Sequence, residues 1–194
     1  MVRVVPFLAL VLLAGTLAAP RGAYAEEKEL VLSLQPGFAV ARVGDRTAWG
    51  GGGGLDVQYG ITDSLWLRVT GAYSAHNLPA LDKTATSAAL PGGLLSAFHA
   101  GAGVTYAIDI VRLVPFFDLS IGLLGMRQPI AAASGTTSKT GYDFGVEIGV
   151  GADYLINRRL SVGFVVRYHA YLTAIADIPI YLYAGPRLAV HFGG

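Results

Sequence analysis

Four histidines, one Ser-x-His pair and a handful of charges are the residues of this sequence that could do chemistry. His76, His99 and His169 share the side-chain parity of most of those charges and lie toward the same end of their segments. With His191 they raise the question of metal ligation or acid–base catalysis. Their spacing matches no zinc pattern, and the sequence has no Cys to assist. Satisfied interior or rim histidines are therefore expected, with no metal and no cofactor. Ser74-Ala75-His76 puts a hydroxyl and an imidazole on one strand face at i, i+2, the nearest approach to a nucleophile and its base. No acid is placed to orient that imidazole except Asp82 in the following loop, so no catalytic residue and no enzyme is expected. The five glycines 50–54 lack a following Lys-Ser/Thr and a helix start, which a phosphate-cradling loop needs. They mark instead a flexible beginning to a strand or a tightly curved stretch of wall.

The charges carry more information. Asp56, Arg68, Asp118, Glu147, Arg167 and Arg187, with Gln58, share a face with Gly, Ala, Ser and Thr. If a three-residue turn pairs Ile61 with Leu65, Gln58 faces Arg68 and Asp56 lies diagonal to it. If Ile156 pairs with Leu160, Glu147 faces His169 and lies diagonal to Arg167. Acid and base then meet across hairpins. Because an unpartnered buried charge is costly, the expected arrangement is an ion-pair network that plugs an interior. A gated polar path for small solutes is the alternative. Trp66, Phe116, Tyr171, Tyr181 and Tyr183 add bulk on the same face.

The elements that must position these groups are strands. Residues 141–156 alternate apolar (Tyr142, Phe144, Val146, Ile148, Val150) with small or charged (Asp143, Gly145, Glu147, Gly149, Gly151), the period of a β-strand. Eight segments read this way: 30–41, 49–61, 65–76, 96–108, 113–125, 142–156, 160–172 and 180–192. Tight connections at 62–64, 109–112 and 157–159 alternate with longer ones at 42–48, 77–95, 126–141 and 173–179. No segment offers about 18 uninterrupted apolar residues, since 97–126 is broken by Asp109, Arg112 and Asp118. In hydrocarbon the remaining way to satisfy every backbone group is a closed barrel. Sorting by parity supports this. Tyr59, Tyr106, Phe117, Tyr154 and Phe192 form one aromatic girdle near the tight turns. Phe38, Tyr73, Phe98, Tyr142, Phe144 and Tyr168 form a second near the longer loops. Val57, Leu67, Val69, Ile121, Val146 and Val166 lie between, as a lipid-facing surface requires. Pro36 and Pro186 sit in the first and last strands, where a missing N–H predicts a bulge or a locally open seam.

Residues 1–25 read as an export signal, with Arg3, an apolar stretch at 4–17 and an Ala23-Tyr24-Ala25 cleavage site; residues 26–194 read as one barrel domain. Without Arg3 and Arg21, 12 basic residues face 13 acidic ones, which leaves no basic field for nucleic acid. Only 14% of residues are charged while 53% are hydrophobic, too few charges to clothe a soluble domain.

The phrases Gln58-Tyr59-Gly60-Ile61-Thr62-Asp63-Ser64-Leu65 and Gly151-Ala152-Asp153-Tyr154-Leu155-Ile156-Asn157-Arg158-Arg159-Leu160 look like strand–periplasmic turn–strand units. On them the chain resembles the OmpA/OmpX-type outer-membrane β-barrel domain family of Gram-negative bacteria. The resemblance implies an all-β, eight-stranded antiparallel up-and-down transmembrane barrel in the bacterial outer membrane. It also implies a monomer in contact with outer-membrane lipid and lipopolysaccharide, inserted by the barrel-assembly machinery. The ending Val190-His191-Phe192-Gly193-Gly194 departs from the family's usual terminal aromatic, and no peptidoglycan-binding domain is expected. A structural or surface-interaction role is expected, with a narrow solute channel or a lipid A-modifying enzyme as alternatives.

Overall fold

The computed structural model describes residues 28–81, 91–108, 110, 112–132, 135–172 and 181–193. Within them the alternating segments become eight strands: β1 (Leu30–Val43), β2 (Arg46–Gly60), β3 (Leu65–Leu78), β4 (Gly93–Ala107), β5 (Leu113–Ala132), β6 (Gly135–Asn157), β7 (Leu160–Tyr171) and β8 (Tyr181–Phe192). Each pairs antiparallel with its sequence neighbours, and β8 returns to β1 to close an up-and-down barrel. Among the described residues no helix is long and apolar enough to cross a membrane. Closure pairs every strand on both sides, so apart from a short lapse at the β1–β8 seam the backbone groups are satisfied within the sheet, as hydrocarbon demands. The export signal proposed for residues 1–25 lies outside the described residues, as do Asp82, the connection expected at 173–179 and residue 180.

The turns show why the register is what it is. Between β2 and β3 the Thr62 hydroxyl accepts from the backbone N–H of Ser64 (3.3 Å) and Leu65 (3.0 Å), fixing a short turn. Gln58 thereby comes opposite Arg68. Between β6 and β7 the Asn157 side chain accepts from the Arg159 N–H at 2.8 Å, and Ile156 is squeezed out as a bulge. Glu147 still falls opposite His169.

Two expected long connections are corrected. The first, at 42–48, is a two-residue turn at Gly44-Asp45, closed by Val43 opposite Arg46. Gly44 takes φ +56°, the conformation a first turn position needs to match strand twist. The second, at 126–141, is strand: β5 and β6 stay paired from Met126–Gly141 out to Ala132–Gly135. That extension stands beyond the point where β4 and β7 stop pairing with the hairpin, at Ser96–Arg127 and Gly145–Tyr171.

At the closing seam, β1 and β8 pair up to Leu34–Leu188 and resume at Phe38–Ala184 in the same register. The ladder lapses where Pro36 and Pro186 lack donors. The seam is locally open rather than bulged. The strands nonetheless touch: a Cβ on Gly185 would sit 2.2 Å from the Pro36 carbonyl oxygen. The Tyr183 hydroxyl donates to the Gln35 carbonyl within the lapse.

Candidate functional site

The barrel interior is mostly small, polar or aromatic, with Val31, Leu78, Leu95, Leu124 and Val165 buried among these side chains, and the polar groups fall into three levels. The middle level is charged. Arg68 and Arg167 reach inward from β3 and β7 to meet Asp56 (β2), Asp118 (β5) and Glu147 (β6), all with side chains at most 3% exposed. Arg68 donates to Asp56 Oδ1 at 3.1 Å and to Glu147 Oε1 at 2.5 Å. Arg167 donates to Asp56 Oδ2 at 2.5 Å, to Asp118 Oδ2 at 3.1 Å and to the Gln35 side chain. Gln35 in turn donates to Asp56 and to Ser33. Each ion would cost several kcal/mol to desolvate alone, and mutual pairing offsets that cost.

Toward the tight-turn end, Arg187 pairs with Asp153 and donates to Gln58 Oε1 at 2.7 Å. Its guanidinium lies 5.1 Å from the centre of the Phe116 ring. Gln58 donates to Thr105 at 2.9 Å and Thr105 to Asp118 at 2.7 Å, which ties this level to the middle one. Nearest the short turns after β2, β4 and β6, His191 bridges Ser161 Oγ (3.0 Å, through Nε2) and Glu29 Oε1 (2.9 Å, through Nδ1). That is the connectivity of a hydrolase triad. Ser161, however, is fully buried.

The third level holds the other histidines. Glu147 Oε2 lies 3.6 Å from His99 Nδ1 and 3.5 Å from His169 Nε2. The His99 and His169 rings meet edge-on at 4.6 Å, and His169 meets Tyr181 edge-on at 4.7 Å. Ser74 Oγ is 2.8 Å from His76 Nε2 and 2.9 Å from the Tyr181 hydroxyl. The Ser74–His76 pair is therefore hydrogen-bonded, but Ser74 is fully buried and its second partner is a phenol.

Outside, the aromatic residues point away from the lumen. Tyr59, Tyr106, Tyr154 and Phe192 are exposed at the tight-turn end, and Tyr73, Phe98, Tyr142 and Tyr168 at the other. The register makes them contiguous: Leu30 joins Tyr59 and Phe192, Tyr106 lies opposite Phe117, and Tyr73 opposite Phe98. Phe98 lies over Gly125 and meets Tyr142 edge-on at 5.8 Å. Between the girdles, Val69 (61% exposed) and Ile121 (66%) are bare aliphatic surface, which only lipid tails cover without penalty.

With that surface and interior in place, the comparison with known families is decisive. The outer membrane protein beta-barrel domain matches residues 9–179. The chain belongs to that family. Neisserial surface protein A is 16% identical, with a TM-score of 0.60 over 86% of this chain and all of that one. OprG from Pseudomonas aeruginosa is 13% identical, with a TM-score of 0.60 over 88% of this chain and 99% of that one. The attachment invasion locus protein Ail of Yersinia pestis, solved with the heparin analogue sucrose octasulfate, is 14% identical. Its TM-score is 0.55 over 86% of this chain and 99% of that one. No curated protein matches in sequence. Identities this low speak to fold alone, and the family places this barrel in the bacterial outer membrane.

Several interior residues of this outer-membrane barrel escape a reading by hairpin. Gln35 carries the inward parity of Ser33 and meets Asp56 across the β1–β2 hairpin, yet its partner Arg167, 132 residues away, reaches it only through closure. Asp153 shares the parity of Glu147, and its partner Arg187 lies two strands off on β8. His191 has the parity of Arg187, the signal that could have placed it inside.

Proposed function

We propose that the protein is a non-catalytic outer-membrane barrel with a plugged lumen, presenting the β5–β6 extension to partners outside the cell. The observation that carries this reading is the middle level of charge. Arg68 and Arg167 span the interior between β2, β5 and β6, leaving no wide aqueous path along the axis. Enclosure of both Ser74 and Ser161 argues against lipid-modifying hydrolysis, which needs a hydroxyl open to substrate.

The surface role rests on the hairpin. Residues 136–142 are exposed, and Arg127 anchors the stem by donating to Ser138 from Nε (3.0 Å) and Nη2 (2.9 Å). Residues 135–142 pair with β5 alone, so their other edge is a template for an added strand. Planar-bilayer recording tests the plug. The wild-type protein gives no reproducible openings; openings that change with Glu147→Gln or Arg167→Gln would establish the channel instead. Lipid A mass spectra identical with and without the protein are expected, and a modified species would overturn the non-catalytic reading.

A further inference from the structure

The third level of the lumen has a feature that plugging does not require. One donor atom from each of His99, Glu147 and His169 lies within 4.8 Å of the others. The Glu147 Oε2 edges, 3.5 and 3.6 Å, are close to the separation of about 3.3 Å between ligands of a tetrahedral ion bonded at about 2.0 Å, and the remaining His99–His169 edge, within 4.8 Å, would shorten as the imidazoles turn onto the ion. We propose that His99, Glu147 and His169 form a binding site for a divalent transition metal, with Zn2+ the best fit.

Three observations beyond the clustering support it. The first is an orphan: His99 is 5% exposed, and its Nδ1, the atom turned toward Glu147, has no hydrogen-bond partner. A buried ring nitrogen without a partner is costly, and an ion would satisfy it. The second is construction. The His99 ring is seated between two glycines; a Cβ at Gly122 would lie 2.8 Å from Nε2, and one at Gly101 3.1 Å from it. Glu147 is oriented by Arg68, which holds Oε1 and leaves Oε2 for the histidines. An outer partner that fixes a ligating carboxylate is a regular part of metal sites.

The third is charge. Around the site, Asp56, Asp118 and Glu147 face Arg68 and Arg167, so with neutral imidazoles one negative charge is left over. A dication changes that balance to one positive charge, no larger in magnitude. Two imidazoles and one carboxylate suit a borderline ion such as Zn2+, whereas Ca2+ and Mg2+ require mostly oxygen. Three protein ligands leave a fourth position for water.

The test uses the folded protein in detergent, purified without a histidine tag and stripped with a chelator. Zn2+ titrated by calorimetry at neutral pH gives saturable binding near one equivalent. Co2+ in its place gives the intense visible bands of a four-coordinate ion. His99→Ala and His169→Ala each weaken Zn2+ binding by about 10-fold or more, the scale of losing a metal-site contact. His191→Gln, at the opposite end of the lumen, leaves binding unchanged. Heat-modifiable gel migration identifies variants that remain barrels, and only those are compared. Glu147→Asp, which keeps the charge, provides the check if an alanine variant fails to fold: its affinity falls while its migration is kept. Absence of saturable binding, or equal binding by wild type and a folded His99→Ala/His169→Ala double variant, overturns the site.

Discussion

Replacing Arg167 with Met removes the group that ties three inward faces together while keeping most of the side-chain volume. In the wild type, Arg167 Nη2 touches Asp56 Oδ2 at 2.5 Å and Asp118 Oδ2 at 3.1 Å. The variant leaves Asp56, Asp118 and Glu147 to a single guanidinium, Arg68, which reaches Asp118 only at 3.6 Å. Removing one partner of a buried pair costs about 3–5 kcal/mol, because the charges left behind stay desolvated. Arg167 Nε also lies 3.6 Å from Glu147 Oε1; at an effective dielectric near 20, one pair of unit charges 4 Å apart is worth about 4 kcal/mol, so three lost contacts point to the upper half of that range. The assay is equilibrium urea unfolding in lipid vesicles, followed by tryptophan fluorescence; Trp66 is inside the barrel and reports its packing. A second variant, Arg167→Met/Asp118→Asn, restores the wild-type excess of one carboxylate over guanidinium and is expected to be more stable than the single one. A single variant within about 0.5 kcal/mol of wild type would refute the reasoning, since that is the cost of an exposed pair. Strictly additive effects would also refute it, because contacting residues should couple.

Within the glycine run, position decides tolerance. A Cβ at Gly50 or Gly52 would lie 2.0 or 2.1 Å from a β3 carbonyl oxygen, whereas one at Gly51 or Gly53 would come no nearer than 3.5 or 3.7 Å, to a β1 carbonyl oxygen. Gly52→Ala is expected to cost about 1–3 kcal/mol in the same unfolding assay and Gly51→Ala less than about 1 kcal/mol, overpacking being the difference. Orientation is checked with single cysteines, since the sequence has none. Lys139→Cys, on the exposed hairpin, should react with an impermeant maleimide on intact cells, and Asp63→Cys, in an opposite-end turn, should not. Val69→Arg puts a charge on the lipid face and should cost about 2–4 kcal/mol if that residue lies near the bilayer midplane. Thr136→Arg, above the wall, should cost nothing measurable by the same unfolding titration.

The barrel was legible because lipid outside and a narrow lumen inside impose a period of two on every strand. Contacts set by one hairpin were legible too, since a turn of known length fixes the register that brings Gln58 to Arg68 and Glu147 to His169. Contacts that need the whole barrel were not. Arg68 meets Glu147 across 79 residues and His191 meets Glu29 across 162, and no local pattern encodes a cross-lumen distance. The β5–β6 extension was hidden for another reason. Above the bilayer both faces are wet, so Thr136, Thr137, Ser138, Lys139 and Thr140 form a strand without alternating. Arg46 misled similarly: it begins β2 facing inward, where its guanidinium donates to the Pro91 carbonyl at 2.9 Å, and a charge at that place reads as loop.

Quenching by brominated lipids tests the central assignment of the two faces most directly. The chain carries Trp66 on the inner face and Trp49, 69% exposed, on the outer. One reporter keeps Trp66 alone through Trp49→Phe. The other replaces both tryptophans with Phe and adds Val69→Trp. In vesicles of chain-brominated lipid, the Val69→Trp fluorescence should be strongly quenched and that of Trp66 nearly untouched. Equal quenching of the two, or stronger quenching of Trp66, would contradict the account.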